Sequence, residues 1–176
     1  MKLSYIFHSG FVLETEQSIL VFDYWMDPSG VMDGVLRSKK PMYVFSSHFH
    51  EDHFTKEIFE WKKQREGITY ILSKDIYKHR RASKEDADVW LAKGGTWSDD
   101  TISVWALGST DSGVSWIVET EDKAAIKREQ SRTCSNYAES RERKSGAQSS
   151  WRMKEFTDEK NIPFWEINRE GETIGI

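Results

Sequence analysis

Residues 46–54 read SSHFHEDHF and contain three of the chain's five histidines, namely His48, His50 and His53, together with Glu51 and Asp52. The apolar run MYVF at residues 42–45 comes directly before them. A short apolar run bounded by turn signals is typical of a buried strand. The chain therefore concentrates its imidazoles at the end of one predicted strand.

A helix is predicted behind this cluster. Phe54, Ile58 and Trp61 lie at helical spacing, and the residues between them are largely charged. Such a pattern is typical of an amphipathic helix with one apolar face. The histidine cluster thus occupies a junction between a strand and a helix.

The pattern H-x-H-x-D-H at this junction predicts a metal site. On an extended segment alternate side chains point the same way, so His48 and His50 can reach one ion. We expect Asp52 and His53 to lie in the first turn of the helix and to hold a second ion beside the first. Imidazole and carboxylate suit Zn²⁺ and related divalent ions better than Ca²⁺ or Mg²⁺. The alternative is a solvated polar loop whose histidines bind nothing.

The rest of the first two-thirds is predicted to be rich in strands. Short apolar or alternating runs are separated by glycines and polar turns, which is typical of sheet rather than of helix. The predicted strands cover residues 2–7, 11–15, 18–23, 41–47, 67–73, 88–92, 101–107 and 115–119.

Composition limits the class of protein. A chain of 176 residues suits one domain, and a net charge of −4 gives no general attraction to nucleic acid or anionic membranes. We expect no membrane span, because no apolar run approaches about 20 residues. We expect no signal peptide, because the N-terminal residues MKLSYIFHSG lack the architecture of one. The single cysteine, Cys134, cannot form an internal disulfide, so we expect a reducing, cytoplasmic location.

His48-Phe49-His50-Glu51-Asp52-His53 resembles the metal signature of the metallo-β-lactamase-fold superfamily, whose members are mostly metal-dependent hydrolases. The segments YIFHSGFVLE (residues 5–14) and ILVFDYW (residues 19–25) resemble the opening hairpins of its lactonase-like branch. The resemblance covers about residues 1–122. It implies a mixed α/β (α+β) fold, an αββα sandwich that would be incomplete in its second half.

The resemblance also implies roles for individual residues. His48, His50, Asp52 and His53 would be metal ligands for one or two ions of Zn, Mn or Fe. A metal-bound hydroxide would then attack an ester, lactone or phosphoester.

Two further carboxylates and one histidine follow from the resemblance. Asp23 would orient a ligand histidine, or would only cap amides at a strand end. Asp111 in GSTDSG, where the superfamily usually has histidine, would be an extra ligand or part of an ordinary turn. We assign Asp52 and His8 as candidate catalytic residues, with a structural turn histidine as the alternative for His8.

The sequence departs from the superfamily after the resemblance ends. The Gly-Asp turn that supplies a bridging aspartate is missing, and no histidine follows His79. Residues 123–176 form an atypical polar segment, expected to be helical or poorly ordered. We hypothesise that a truncation or a shifted reading frame near Lys123 replaced the ancestral sequence, which the other two frames of the coding DNA would reveal.

Two classes of function remain open from the sequence. One is a metal-dependent hydrolase of a small-molecule substrate. The other is a catalytically silent remnant of the fold that binds metal or a partner. Self-association into a homo-oligomer is expected if an incomplete sandwich leaves apolar sheet edges exposed.

Overall fold

The structure is a computed structural model that describes residues 1–109, 111–120, 124–127 and 173–175. Within residues 123–176 it therefore describes two short strands. The predicted helical or poorly ordered character of the remainder, and the hypothesis about Lys123, lie outside the described residues.

The described residues form two sheets. The strands are β1 (Lys2–Tyr5), β2 (Phe11–Glu14), β3 (Ile19–Phe22), β4 (Met42–Ser46), β5 (Ile68–Ser73), β6 (Val89–Leu91), β7 (Thr96–Ser98), β8 (Ile102–Gly108), β9 (Val114–Thr120), β10 (Ala124–Lys127) and β11 (Thr173–Gly175). The larger sheet has the order β11-β1-β2-β3-β4-β5-β6, and the smaller sheet has the order β10-β9-β8-β7.

The larger sheet is mixed. Strands β1, β2 and β3 pair antiparallel, whereas β3, β4, β5 and β6 pair parallel. Strands β3 and β4 are buried along their whole length, which explains their continuous apolar sequences. Because they run parallel, the residues that follow them meet at one edge of the sheet.

Four helical segments connect the strands within the part of the chain that the structure describes. They are α1 (Val31–Leu36), α2 (Lys74–Lys78) and two 3₁₀ helices, Lys56–Lys63 and Lys84–Asp86. Asp27 precedes α1, and its carboxylate accepts hydrogen bonds from the backbone N–H groups of Val31 (3.0 Å) and Met32 (2.7 Å). These two bonds satisfy the first N–H groups of a helix whose N-cap, Gly30, makes no side-chain hydrogen bond, in a segment whose glycines favour a loop.

Two apolar layers flank the larger sheet. Alternate residues of β3 point to opposite faces, so Leu20 and Phe22 face the smaller sheet, while Ile19 and Val21 pack towards the helices. Trp116 of the smaller sheet is fully buried between the sheets. The prediction of a mixed α/β sandwich is therefore confirmed for the described residues, which form a helical layer and two sheets.

The predicted helix behind the histidine cluster is confirmed as the 3₁₀ helix Lys56–Lys63, with Ile58 and Trp61 buried. Helices α1 and α2 were not predicted, because each is six residues or shorter and too short to show a period. Across the part of the chain that the structure describes, no helix has the length and apolar character to cross a bilayer.

Tyr43 links the two sheets and gives a pH-dependent prediction. Its hydroxyl donates to Asp99 Oδ2 at 2.7 Å, and burial together with this carboxylate raises the pKa of Tyr43 from 10.0 to about 12. Between pH 10 and pH 12 the phenol is therefore mostly neutral in the folded state and mostly ionised in the unfolded state. This stabilisation is complete below pH 10 and is lost as the pH rises towards 12.

We expect Tyr43→Phe to lower the free energy of unfolding by about 1 kcal/mol at neutral pH, because one hydrogen bond is lost. The difference in the free energy of unfolding between the variant and the wild type should decrease above pH 10. Denaturant unfolding at a series of pH values measures this. A gap that stays constant up to pH 12 would contradict the assignment.

Candidate metal centre

The site is built where the parallel strands β3 and β4 end. Asp23 follows β3 with a left-handed φ of 46° and is fully buried. Its Oδ1 accepts from the backbone N–H of Ser47 (2.7 Å), and its Oδ2 accepts from the Ser47 hydroxyl (2.8 Å). A buried carboxylate therefore fixes the first residues of the segment that carries the histidines.

Three ligand-type atoms converge just beyond this point. His48 Nε2 lies 2.9 Å from His50 Nδ1, and Asp111 Oδ2 lies 3.5 Å from the first atom and 3.6 Å from the second. Ligand atoms around a tetrahedral zinc, at bond lengths of about 2.0–2.1 Å, are about 3.4 Å from one another. The three atoms thus have the spacing of a ligand set for one divalent ion.

Hydrogen bonding determines which nitrogen of His48 is protonated in the neutral ring. The Ser47 hydroxyl uses its one proton on Asp23, so in its 3.1 Å contact with His48 Nδ1 the hydroxyl accepts and the imidazole donates. The neutral ring then has its lone pair on Nε2, the atom that faces His50 and Asp111. Outer hydrogen bonds of this kind orient metal-binding histidines.

Asp111 is held in place by its loop. The backbone N–H of Val114 donates to Ser47 O at 3.0 Å, and the Ser112 hydroxyl donates to Asp75 Oδ2 at 3.2 Å. Gly113 lies so close to the motif that an added Cβ would be 2.0 Å from Ser47 O. The loop between β8 and β9 therefore packs directly on the histidine segment.

A second cluster surrounds His53. Its Nδ1 donates to Asp23 Oδ2 (3.2 Å), and its Nε2 lies 3.2 Å from Asp52 Oδ2 and 3.3 Å from Ser9 Oγ. His8 Nδ1 lies 3.4 Å from the same Asp52 oxygen. This cluster offers one imidazole nitrogen and one carboxylate towards a second ion.

The structure brings all of the predicted site residues into these two neighbouring clusters. The rings of His48 and His53 have centroids 4.1 Å apart, which links one cluster to the other. The prediction that Asp52 and His53 lie in the helix is wrong, because the 3₁₀ helix begins at Lys56 after the cap Thr55. A separate turn places them, in which the N–H groups of His53 and Phe54 donate to His50 O.

The sequence interpretation missed the supporting residues. Ser47 connects Asp23 to His48, Ser9 contacts His53, and Asp75 holds Ser112. Ser47 and Ser9 each adjoin a histidine in sequence, which is the one signal that could have identified them. The link through Asp75 joins residues 37 positions apart and left no local signal.

Ser47→Ala tests the hydrogen-bond chain. We expect the affinity for zinc to fall about 10-fold, because His48 Nδ1 loses the acceptor that fixes its ring. Competition with a chelating dye measures the dissociation constant. Ser46→Ala is the matched control, since the Ser46 hydroxyl is buried but has no hydrogen-bond partner among the described residues. Equal affinities in the two variants would contradict this role of Ser47.

Comparison with known proteins rests on structure. No family model matches the sequence, and no curated protein matches it. A metallo hydrolase from the archaeon Ignicoccus hospitalis superposes with a TM-score of 0.55 at 18% identity, covering 74% of this chain and 60% of that protein. A possible metal-dependent hydrolase from Veillonella parvula superposes with a TM-score of 0.60 at 13% identity, covering 100% of this chain and 99% of that protein.

The chain has the metallo-β-lactamase fold. YhfI from Bacillus subtilis, a metallo-β-lactamase fold protein, gives a TM-score of 0.49 at 14% identity, covering 71% of this chain and 60% of that protein. The chain thus spans about 60% of the length of the Ignicoccus and Bacillus proteins. At these identities the likeness concerns the fold alone.

Proposed function

We propose that this protein is a metal-dependent hydrolase that acts on an ester, lactone or phosphoester of a small molecule. The observation that supports it most is the convergence of His48 Nε2, His50 Nδ1 and Asp111 Oδ2 within 3.6 Å of one another. The donor set suits Zn²⁺, Mn²⁺ or Fe²⁺, since imidazole and carboxylate serve all three.

Two groups of residues have different roles in the proposed centre: one would bind the ion and the other orients the ligands. His48, His50 and Asp111 would bind the first ion, while Asp23 and Ser47 fix the His48 ring. A divalent ion in such a site lowers the pKa of a bound water and polarises the bond to be cleaved. These three residues would supply the number of protein ligands that is usual in catalytic zinc sites.

Asp52 and His8 supply the proton-handling part of the proposal. Asp52 Oδ2 lies between His53 Nε2 (3.2 Å) and His8 Nδ1 (3.4 Å), so it can assist in holding a second ion or can hold a proton beside the substrate. His8 is mostly buried, with its ring edge against Trp25. A proton on His8 would be available to the leaving group.

A metal-binding module without hydrolytic activity is the second candidate. It is favoured by the His53 cluster, which offers two protein ligands where a tightly held ion takes three or more. The sequence has no histidine after His79 to add another. Metal content and hydrolysis therefore have to be measured separately.

The test uses the full chain loaded separately with Zn²⁺, Mn²⁺ and Fe²⁺. We expect at least about one equivalent of ion to be retained, and turnover of at least one ester, lactone or phosphoester that chelation abolishes. Asp111→Asn should lose both properties, while Asp100→Asn, an exposed carboxylate elsewhere, should lose neither. Well under one equivalent with every ion would end the hydrolase proposal, and metal without turnover would favour the silent module.

A further inference from the structure

A cavity of about 350 Å³ adjoins the candidate metal centre. Glu51, which lies between the ligands His50 and Asp52 in sequence, forms part of its wall. Trp25 forms another part, and its ring centroid is 5.6 Å from that of His8. The cavity is therefore lined by residues that lie next to those of the centre in sequence or contact them. A volume near the lower end of the range for ligand pockets suits a small molecule.

The cavity is cationic in a chain whose net charge is −4. Lys56, Arg80 and Arg81 line it, against the single carboxylate of Glu51. Glu51 Oε1 lies 3.5 Å from Arg81 Nη2, and both side chains are well exposed, so this ion pair is weak. Three cations against one carboxylate leave an excess of positive charge beside the metal ligands.

Arg80 occupies a backbone position that favours glycine. It follows the end of α2 with a left-handed φ of 58°. Its N–H donates to Tyr77 O, and the N–H of Arg81 donates to Ile76 O, both at 2.9 Å. Helices commonly end in this way with glycine at the left-handed residue, because a side chain there is strained. Arg80 therefore has a strained backbone conformation at a position where it lines the cavity.

We propose that this cavity binds a phosphate group of the substrate through Arg80, Arg81 and Lys56, with a planar or apolar part of the molecule against Trp25. Guanidinium groups bind phosphate through paired hydrogen bonds, and a phosphate monoester has close to two negative charges at neutral pH. A carboxylate has one charge and fits the same cations less well. The inference rests on the proposed hydrolase function for calling the ligand a substrate.

The experiment titrates inorganic phosphate into the full chain by calorimetry at constant ionic strength, with chelator and again with zinc. We expect phosphate to bind in the presence of chelator, and more tightly than acetate. Arg81→Gln should weaken it at least about 10-fold, whereas the control Arg37→Gln, an exposed arginine away from the cavity, should change it less than about 2-fold. Arg80→Gly should also weaken it while the melting temperature stays the same or rises, because glycine relieves the strained backbone.

Several outcomes would overturn the inference. Phosphate binding that disappears with chelator belongs to a metal ion, and binding that is unchanged in both arginine variants does not involve the cavity. Acetate that binds as tightly as phosphate assigns the cavity to carboxylates instead. If the protein retains metal but phosphate does not bind, this inference alone falls. If phosphate binds but no metal is retained, the hydrolase proposal falls and the anion site stands.

Discussion

We expect His50→Ala to lower the affinity for a divalent ion by at least about 100-fold, beyond the loss seen when an outer hydrogen bond is removed. The variant keeps two of the three converging ligand atoms, and two protein ligands hold a transition metal weakly. Hydrolysis should be lost together with the ion. The metal content of the purified protein after dialysis, and competition with a chelator, measure the effect.

The fold should survive this substitution. The His50 side chain is 44% exposed, so its removal leaves no cavity in the core. His79→Ala is the matched control, because His79 is an exposed histidine that stacks on Phe49 and contributes no atom to the cluster. Full metal retention in His50→Ala, or an equal loss of metal in His50→Ala and His79→Ala, would contradict the assignment of the cluster as a metal site.

Gly113→Ala should destabilise the protein by about 3 kcal/mol, the second large effect that we expect. Two costs combine at this position. The residue has a φ of 65°, which alanine adopts with strain, and the new Cβ would approach Ser47 O to 2.0 Å and the Cβ of His48 to 2.7 Å. The backbone of the loop or of the motif must shift, and Asp111 shifts with it.

Gly67→Ala measures the backbone-strain part of this effect alone, so the difference between the two variants gives the steric part. Gly67 has a similar φ of 71° but an added Cβ would meet open space, so we expect a loss of only about 1 kcal/mol. Denaturant unfolding gives both values. Gly113→Ala should also weaken metal binding, whereas Gly67→Ala should not. Equal destabilisation of the two variants would mean that the loop does not pack on the motif as described.

The sequence predicted those parts of the fold that local patterns determine. The apolar runs of β3 and β4 identify strands buried on both faces, and the stripe of Ile58 and Trp61 identifies a helix buried on one face. The short helix α1 could not be predicted in the same way. Its first two N–H groups donate to the Asp27 carboxylate, while the glycines and proline around it favour a loop.

The candidate site could be predicted only in part. His48, His50, Asp52 and His53 are adjacent in sequence, so their spacing alone indicated a metal site. Asp111 lies more than 60 residues from His48, and its approach depends on packing between the loop and Ser47 O. Long-range packing of this kind leaves no period or motif in the sequence. From the sequence, the segment GSTDSG is therefore also typical of an ordinary turn.

The cavity beside the centre could not be predicted from the sequence, because it also depends on long-range packing. Lys56 and Arg80 are separated by a strand and a helix, and both line the cavity only because of how the chain folds between them. In sequence, the KHRR run that contains Arg80 and Arg81 is typical of a solvated surface. The left-handed backbone at Arg80 became evident only in the structure.

The central claim is that His48, His50 and Asp111 hold one divalent ion. A crystal of the zinc-loaded protein, measured at the zinc absorption edge, tests it most directly. We predict an anomalous peak about 2.0–2.2 Å from His48 Nε2, His50 Nδ1 and Asp111 Oδ2. A peak that contacts none of these three atoms, or no peak at a zinc concentration that saturates solution binding, would contradict the claim.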